Sequence, residues 1–267
     1  MKEDYNRRKV DFNHIHATSN VHFDIFFEIL NISENQRVLD IGGGYGEILL
    51  EFKKRHVHPI FYYDLLDSST LQLITGKEKI LNVLGSKQTN QYIQFLEFDL
   101  FSFIPKTTYD HVILKMVLHE FSLTDKVSVI KKAKSMLGEK GKLTIWRPYL
   151  PHYVKDFFSA IILKKDELAG YHLMLQTRYF ESEEEFKEIL IQADINQSEP
   201  KFIFEYLFDT SRRFESEFSG NSSLYLNWIN FILEKYESES TELKKQVKLV
   251  KSSNGLYINF QRAIYQF

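Results

Sequence analysis

Cysteine is absent from this chain of 267 residues, which removes disulfides, thiolate nucleophiles and cysteine–zinc sites together. A surplus of either charge is lacking too. The 34 Lys and Arg against 36 Asp and Glu leave a formal net charge of −2, without the basic face that nucleic-acid partners call for. No apolar run approaches the roughly 20 residues that cross a bilayer. The opening Met1-Lys2-Glu3-Asp4-Tyr5 has no apolar signal segment behind it, so a soluble, cytoplasmic protein is expected. Aromatic residues are plentiful: 23 Phe and 15 Tyr within a hydrophobic content of 43% supply a core and an aromatic-lined pocket. The length suits one α/β domain carrying insertions.

The most informative segment is Val38-Leu39-Asp40-Ile41-Gly42-Gly43-Gly44-Tyr45-Gly46-Glu47. Apolar residues, an acid and alternating glycines read as a strand that turns sharply into a helix, whose first N–H groups point at whatever lies over the loop. A dinucleotide fingerprint begun at Gly42 needs glycine at position 47, which is Glu47, and no Gly-Lys-Ser/Thr closes a P-loop. The spacing Asp-x-Gly-x-Gly-x-Gly, from Asp40 through Gly42 and Gly44 to Gly46, resembles the first motif of class I S-adenosylmethionine-dependent methyltransferases.

Short apolar runs then alternate with helical stretches, the pattern of a parallel sheet flanked by helices. Strands are predicted at Arg37–Ile41, Pro59–Asp64, Ile93–Phe98, His111–Lys115 and Lys142–Trp146, with helices at Gly46–Lys54, Ser69–Gly85 and Asp125–Leu137, the last stopped by Gly138 and Gly141. Beyond 147 the pattern changes. Pro148–Phe180 is aromatic and helix-compatible, Ser182–Ala193 opens with a capping-box pair, and Phe202–Phe208 and Leu256–Tyr265 read as strands around a helix-prone stretch at Leu224–Val250. The expectation is a single domain: an N-terminal helical cap segment 1–33, a cofactor-binding core 34–147, a substrate-cap insertion 148–180, and a C-terminal helix and strands 181–267 with a helical insertion near 211–253. The resemblance implies a Rossmann-like α/β fold with a seven-stranded, mostly parallel sheet, an antiparallel last strand and helices on both faces.

In such sheets ligands sit beyond the carboxyl ends of the strands. Asp40, Asp64 and Asp99 are read at three successive ends. An acid at the second can accept from both ribose hydroxyls, and one at the third from an exocyclic amine; each also reads as a turn or helix cap. The resemblance, covering 37 to about 147, implies that Asp40 and Gly42, Gly43, Gly44 and Gly46 border the methionine part of S-adenosylmethionine. By the same resemblance Asp64 with Leu65 holds the ribose, Asp99 with Leu100 brackets the adenine, and Lys115 closes the cofactor set. Gly43, Tyr62 and Tyr63 depart mildly from the family pattern.

His119 falls just past the fourth strand, in Leu118-His119-Glu120-Phe121-Ser122. Imidazole takes a hydroxyl proton at neutral pH. The segment resembles Leu-His-Asp-Trp-Ser of plant-type O-methyltransferases, which implies that His119 is a general base, with Glu120 as its orienter. Those enzymes carry a large N-terminal dimerisation domain, whereas about thirty residues precede the first motif here. A homodimer is left open. Arg147, Tyr149, His152, Tyr153, Arg178 and Tyr179 are candidate acceptor contacts by position. His14, His16 and His22, or His56 and His58, offer no regular third ligand, and no metal is expected. The reading is methyl transfer from S-adenosylmethionine to a small-molecule acceptor, on oxygen with His119 as base. The alternatives are N- or C-methylation by positioning alone, or a catalytically silent cofactor-binding partner protein.

Overall fold

The computed structural model describes residues 3–4, 20–55 and 61–267. Its first half runs α1 (Asn20–Leu30), β1 (Arg37–Ile41), α2 (Glu47–Arg55), β2 (Tyr62–Asp67), α3 (Thr70–Leu84), α4 (Ser86–Tyr92), β3 (Ile93–Glu97), β4 (Tyr109–Lys115), α5 (Leu123–Ser135) and β5 (Leu137–Tyr149). The second half runs α6 (His152–Leu168), α7 (His172–Thr177), α8 (Glu183–Gln192), β6 (Phe202–Asp209), α9 (Phe214–Phe218), α10 (Ser222–Ser238), α11 (Thr241–Gln246), β7 (Leu249–Ser252) and β8 (Gly255–Gln266). Among the described residues no helix is long and apolar enough to cross a membrane.

The strands form one sheet in the order β3-β2-β1-β4-β5-β8-β6, with short β7 paired to the start of β8. β1 to β5 are mutually parallel, and β8 runs antiparallel to both β5 and β6. This is the expected sheet, with β7 added inside what the sequence reads as a helical insertion. The chain order reverses at β1, which pairs β2 on one side and β4 on the other, and a crevice opens there beyond the carboxyl ends.

Period-two alternation divides the core. Val112 and Leu114 of β4 face α5 and α8, packing with Val129, Ile130 and Phe186. Ile113 between them faces Phe23, Phe26, Ile48 and Phe52 of α1 and α2. A third cluster joins α6 and α10 to β6 and β8 through Phe157, Ile161, Trp228, Phe208 and Phe260, and the Trp228 indole N–H donates to the Ile161 carbonyl at 2.7 Å. The segments read as two insertions therefore pack as one cap. Within the N-terminal segment, α1 is not part of a cap but lies in the sheet's core, where Phe23 and Phe26 meet Trp146 at ring separations of 5.4 and 4.9 Å.

Two of the predicted strands differ in their bounds by three or more residues from the sequence reading. β2 ends at Asp67, not Asp64: an acid ordinarily marks a strand's end, but Asp64 is held mid-strand by the Tyr109 hydroxyl at 2.7 Å and the Arg37 guanidinium at 3.3 Å. β5 begins at Leu137 and contains Gly138 and Gly141, which therefore do not cap α5. The β4–β5 register shifts between Tyr109 and His111, and a Cβ on Gly141 would sit 2.7 Å from the Tyr109 carbonyl oxygen. The capping box at Ser182 and Glu185 is present. His14, His16, His56 and His58 lie outside the described residues, and the His22 ring rests 4.1 Å from that of Phe204.

Candidate active site

Beyond the carboxyl ends of β1, β2 and β4 lies a cavity of about 580 Å³, within the usual range for small-molecule sites. One wall is the glycine turn. Gly42 has φ +67°, and a Cβ there would fall 2.4 Å from Val117 Cγ2, so both conformation and space demand glycine. Asp40 ends the approach to the turn, buried, accepting from the Tyr63 hydroxyl at 2.5 Å. Burial raises its carboxyl to about 6, although Tyr63 and the Lys115 ammonium pull the other way. The Lys115 ammonium is already paired with Glu47 at the start of α2 and lies 5.2 Å over Trp146.

The strand-end acid of β2 is Asp67. It lines the cavity, accepting from the Gly44 N–H at 3.0 Å and the Ser69 N–H at 2.7 Å. Burial pushes it to about 6 against those two donors. Asp64 and Leu65, expected here, do not border the cavity: the register pairs Asp64 with Leu39, three residues short of the turn. Asp99 and Leu100 do border it, and Asp99 also accepts from the Phe101 N–H at 2.9 Å, capping its own loop.

Gln72 was not legible as a site residue. Ser69-Thr70-Leu71-Gln72 has capping-box spacing, and the Ser69 hydroxyl accepts from the Gln72 N–H at 3.3 Å. The return bond is not made, because the Ser69 N–H goes to Asp67. The Gln72 side chain instead faces the cavity beside Gly44, and its buried Nε2 has no hydrogen-bond partner among the described residues. The amide oxygen Oε1 is the Gln72 atom that lies against Gly44.

Opposite stands a 3-10 turn, Leu118–Glu120, carrying His119. Its imidazole stacks on Phe180 at 5.1 Å and 15°, with Nε2 3.0 Å from Glu120 Oε1. Burial lowers its pKa; Glu120 opposes that, and Arg178 and Lys126 reinforce it. The ring is therefore neutral at pH 7 with Nε2–H donated to Glu120, leaving the Nδ1 lone pair. Glu120 also pairs with Arg178, Arg178 with Asp166, and Asp166 with Lys165, so buried ion pairs tie the His119 turn to cap helix α6.

Of the acceptor candidates, Arg178 alone lines the cavity. Arg147 alternates to the other face of β5, where Glu181 at 2.8 Å, Glu183 at 2.5 Å and the Phe186 ring enclose it. Tyr149 packs against the core under α8, and Tyr153 against the cap core. His152 is exposed at the start of α6. The Tyr179 hydroxyl is taken by Glu185 and Lys155, while its N–H donates to the His119 carbonyl at 3.0 Å. The cap side of the cavity comes instead from Phe158, Phe180, Phe208 and Phe260, with Lys165, Arg213 and Arg262. Arg262 had a sequence signal: it breaks the inward series Leu256, Ile258, Phe260 of β8. Lys165 and Arg213 had none.

A methyltransferase-domain family model matches residues 17–196. Isoflavone 4'-O-methyltransferase of Medicago truncatula is 28% identical over 120 residues, 42% of this chain and 29% of that protein. The chain thus spans less than a third of that curated relative's length. Among solved structures, the YcgJ protein of Bacillus subtilis is similar with a TM-score of 0.70 at 13% identity, over 93% of this chain and 97% of that one. Haemonchus contortus phosphoethanolamine N-methyltransferase 2, solved with phosphomonomethylethanolamine and S-adenosylhomocysteine, is similar with a TM-score of 0.52 at 16% identity, over 92% and 52%. At these identities the structural likeness carries the fold.

Proposed function

The chain belongs to the methyltransferase-domain family, whose methyl donor is S-adenosylmethionine, and from that premise we propose that it methylates a hydroxyl of a small molecule held between the glycine turn and the cap. The carrying observation is that a single cavity collects the turn, Asp67, Gln72 and the neutral His119. The residues fit the donor on their own chemistry: a cavity-lining turn whose Gly42 leaves no room for a Cβ beside Val117, with the Gln72 amide and the Asp67 carboxylate next to it.

In this reading Asp40, Gly42, Gly43 and Gly44 hold the methionine end, with Gln72 Nε2 donating to it. Asp67, not Asp64, takes the ribose hydroxyls, and Asp99 and Leu100 border the adenine. When bound, the cofactor supplies a methyl group on a positively charged sulfur. His119 Nδ1 receives the acceptor's hydroxyl proton, while Glu120, accepting from Nε2, holds the ring and favours its protonated form. Phe158, Phe180 and Phe260 line the same space and keep water from competing as the acceptor.

Calorimetry tests the donor: failure of the folded protein to bind S-adenosylmethionine or S-adenosylhomocysteine sinks the reading. For the base, transfer of labelled methyl from S-adenosylmethionine to a panel of phenols and carboxylates is compared between wild type and His119→Ala. A loss of about 10²-fold or more in turnover, with cofactor affinity unchanged, is expected. Turnover that survives the substitution points to an N or C acceptor handled by positioning.

A further inference from the structure

The cap wall of the cavity presents cations, and the carboxylates that pair with Lys165 and Arg213 stand behind them, whereas Arg178 also meets the cavity-lining Glu120. Lys165, Arg178, Arg213 and Arg262 all line the cavity and are nearly fully buried. Asp166 and Glu217 are buried as deeply but do not line it. Asp166 pairs with Lys165 and Arg178, and Glu217 with Lys165 and Arg213. On this wall the ammonium and guanidinium groups border the cavity in a desolvated setting where their field is weakly screened.

Arg213 carries the argument furthest. Nη1 goes to Glu217, and the guanidinium lies 4.4 Å over the Phe208 ring. Its Nε is buried with no hydrogen-bond partner among the described residues. Buried donors are ordinarily satisfied, and this unsatisfied one belongs to a guanidinium whose residue lines the cavity. Nearby, the Arg262 guanidinium stacks at 3.5 Å on Tyr206.

Resting on the methyl-transfer reading, we infer that the acceptor carries an anionic group, a carboxylate or a phosphate, on an apolar body, and that Arg213 with Lys165 and Arg262 receives it. Guanidinium forks match both oxyanions. Glu217, shared by Lys165 and Arg213, fixes both heads before any ligand arrives, which limits the ordering entropy lost on binding. The rings of Phe158, Phe208 and Phe260 supply the apolar body's surroundings.

The test is calorimetry on protein saturated with S-adenosylhomocysteine. 4-Hydroxybenzoate, 4-hydroxycinnamate and phenyl phosphate are compared with 4-hydroxybenzamide, 4-hydroxycinnamamide and phenol. At least one anion binds about tenfold or more tightly than its uncharged partner, as for a charge-assisted contact, and the carboxylate and phosphate arms show which group is preferred. Arg213→Gln brings each pair to within about threefold with S-adenosylhomocysteine affinity retained, and Arg213→Lys restores part of the preference. If Arg213→Gln does not fold, the wild-type pairs decide. Uncharged partners binding as tightly as the anions, no anion binding at all, or a preference that survives folded Arg213→Gln each overturns the inference while leaving the methyl-donor reading standing. Absence of S-adenosylhomocysteine binding overturns both.

Discussion

Cofactor affinity should fall as the pH drops from 7 to 5, because Asp67 titrates in that interval. Its carboxyl is raised from 3.8 to about 6 by burial, against the Ser69 and Gly44 N–H groups. A group raised in the folded state holds its proton more tightly there, so the Asp67 contribution to apo stability is fully present below pH 4 and is lost as the pH climbs through 6, by up to about 3 kcal/mol. A ribose diol donates both of its hydrogens to an ionised carboxylate, so binding selects that form and recovers part of the loss. With a single titration near 6, affinity at pH 5 is about tenfold below that at pH 7, or about 1.4 kcal/mol. A drop approaching a hundredfold would mean that Asp40, raised by burial to the same value, titrates alongside. Calorimetry with S-adenosylhomocysteine at half-unit intervals measures it. Asp67→Asn removes the Asp67 part of the slope and costs about 1.5–3 kcal/mol at pH 7, the range for hydrogen bonds to a charged group. Asp64→Asn leaves affinity within about twofold and lowers stability instead, since Tyr109 and Arg37 lose their carboxylate. Affinity that is flat from pH 5 to 7, or a larger loss of affinity in Asp64→Asn than in Asp67→Asn, refutes the assignment.

Gly42→Ala should cost about 2–4 kcal/mol in urea unfolding, combining left-handed strain with the 2.4 Å approach to Val117; a change under about 1 kcal/mol would show that the turn relaxes freely. Arg147→Met should destabilise by about 3–5 kcal/mol, because Glu181 and Glu183 stay buried with their charge partly uncompensated. Acid stability reports on the same network. Burial works to raise the Glu181 carboxyl, but Lys126 and Arg147 outweigh it and hold the value down to about 2. Its stabilisation of about 3 kcal/mol is present above pH 4.5 and lost as the pH falls toward 2. Glu181→Gln should remove that share of the pH dependence in denaturant titrations.

The sheet was readable because its cues are local. Glycine spacing, apolar runs of strand length and capping pairs each act within a few residues, so β1, α3, α8 and the antiparallel β8 fall close to their expected places. The slip at β2 has a local cause as well. Tyr63-Asp64-Leu65-Leu66-Asp67 offers two acids, and only the long-range contacts of Asp64 with Tyr109 and Arg37 decide which of them ends the strand. Register supplies the missing constraint: β2 runs parallel to β1 and pairs Leu66 with Ile41, so its terminal acid has to lie level with Gly42.

The two halves of the cavity differ in how their chemistry is encoded. On the side of the glycine turn, backbone conformation does the selecting, and a turn that needs positive φ at Gly42, Gly44 and Gly46 writes that need directly into the sequence. On the cap side the cations come from α6, the turn before α9, and β8, separated by 48 and 49 residues (165 to 213, 213 to 262). No spacing rule links them. What links them is carboxylate sharing, with Glu217 bridging Lys165 to Arg213 and Asp166 bridging Lys165 to Arg178. Such pairs stay buried only when every charge is met. Changing one member therefore disturbs its neighbours through to the His119 turn, which Arg178 reaches through Glu120. The cap's charge pattern and the imidazole's orientation are thus one electrostatic unit, and a substitution at the acceptor end is expected to register in the proton affinity of His119 as well as in acceptor binding.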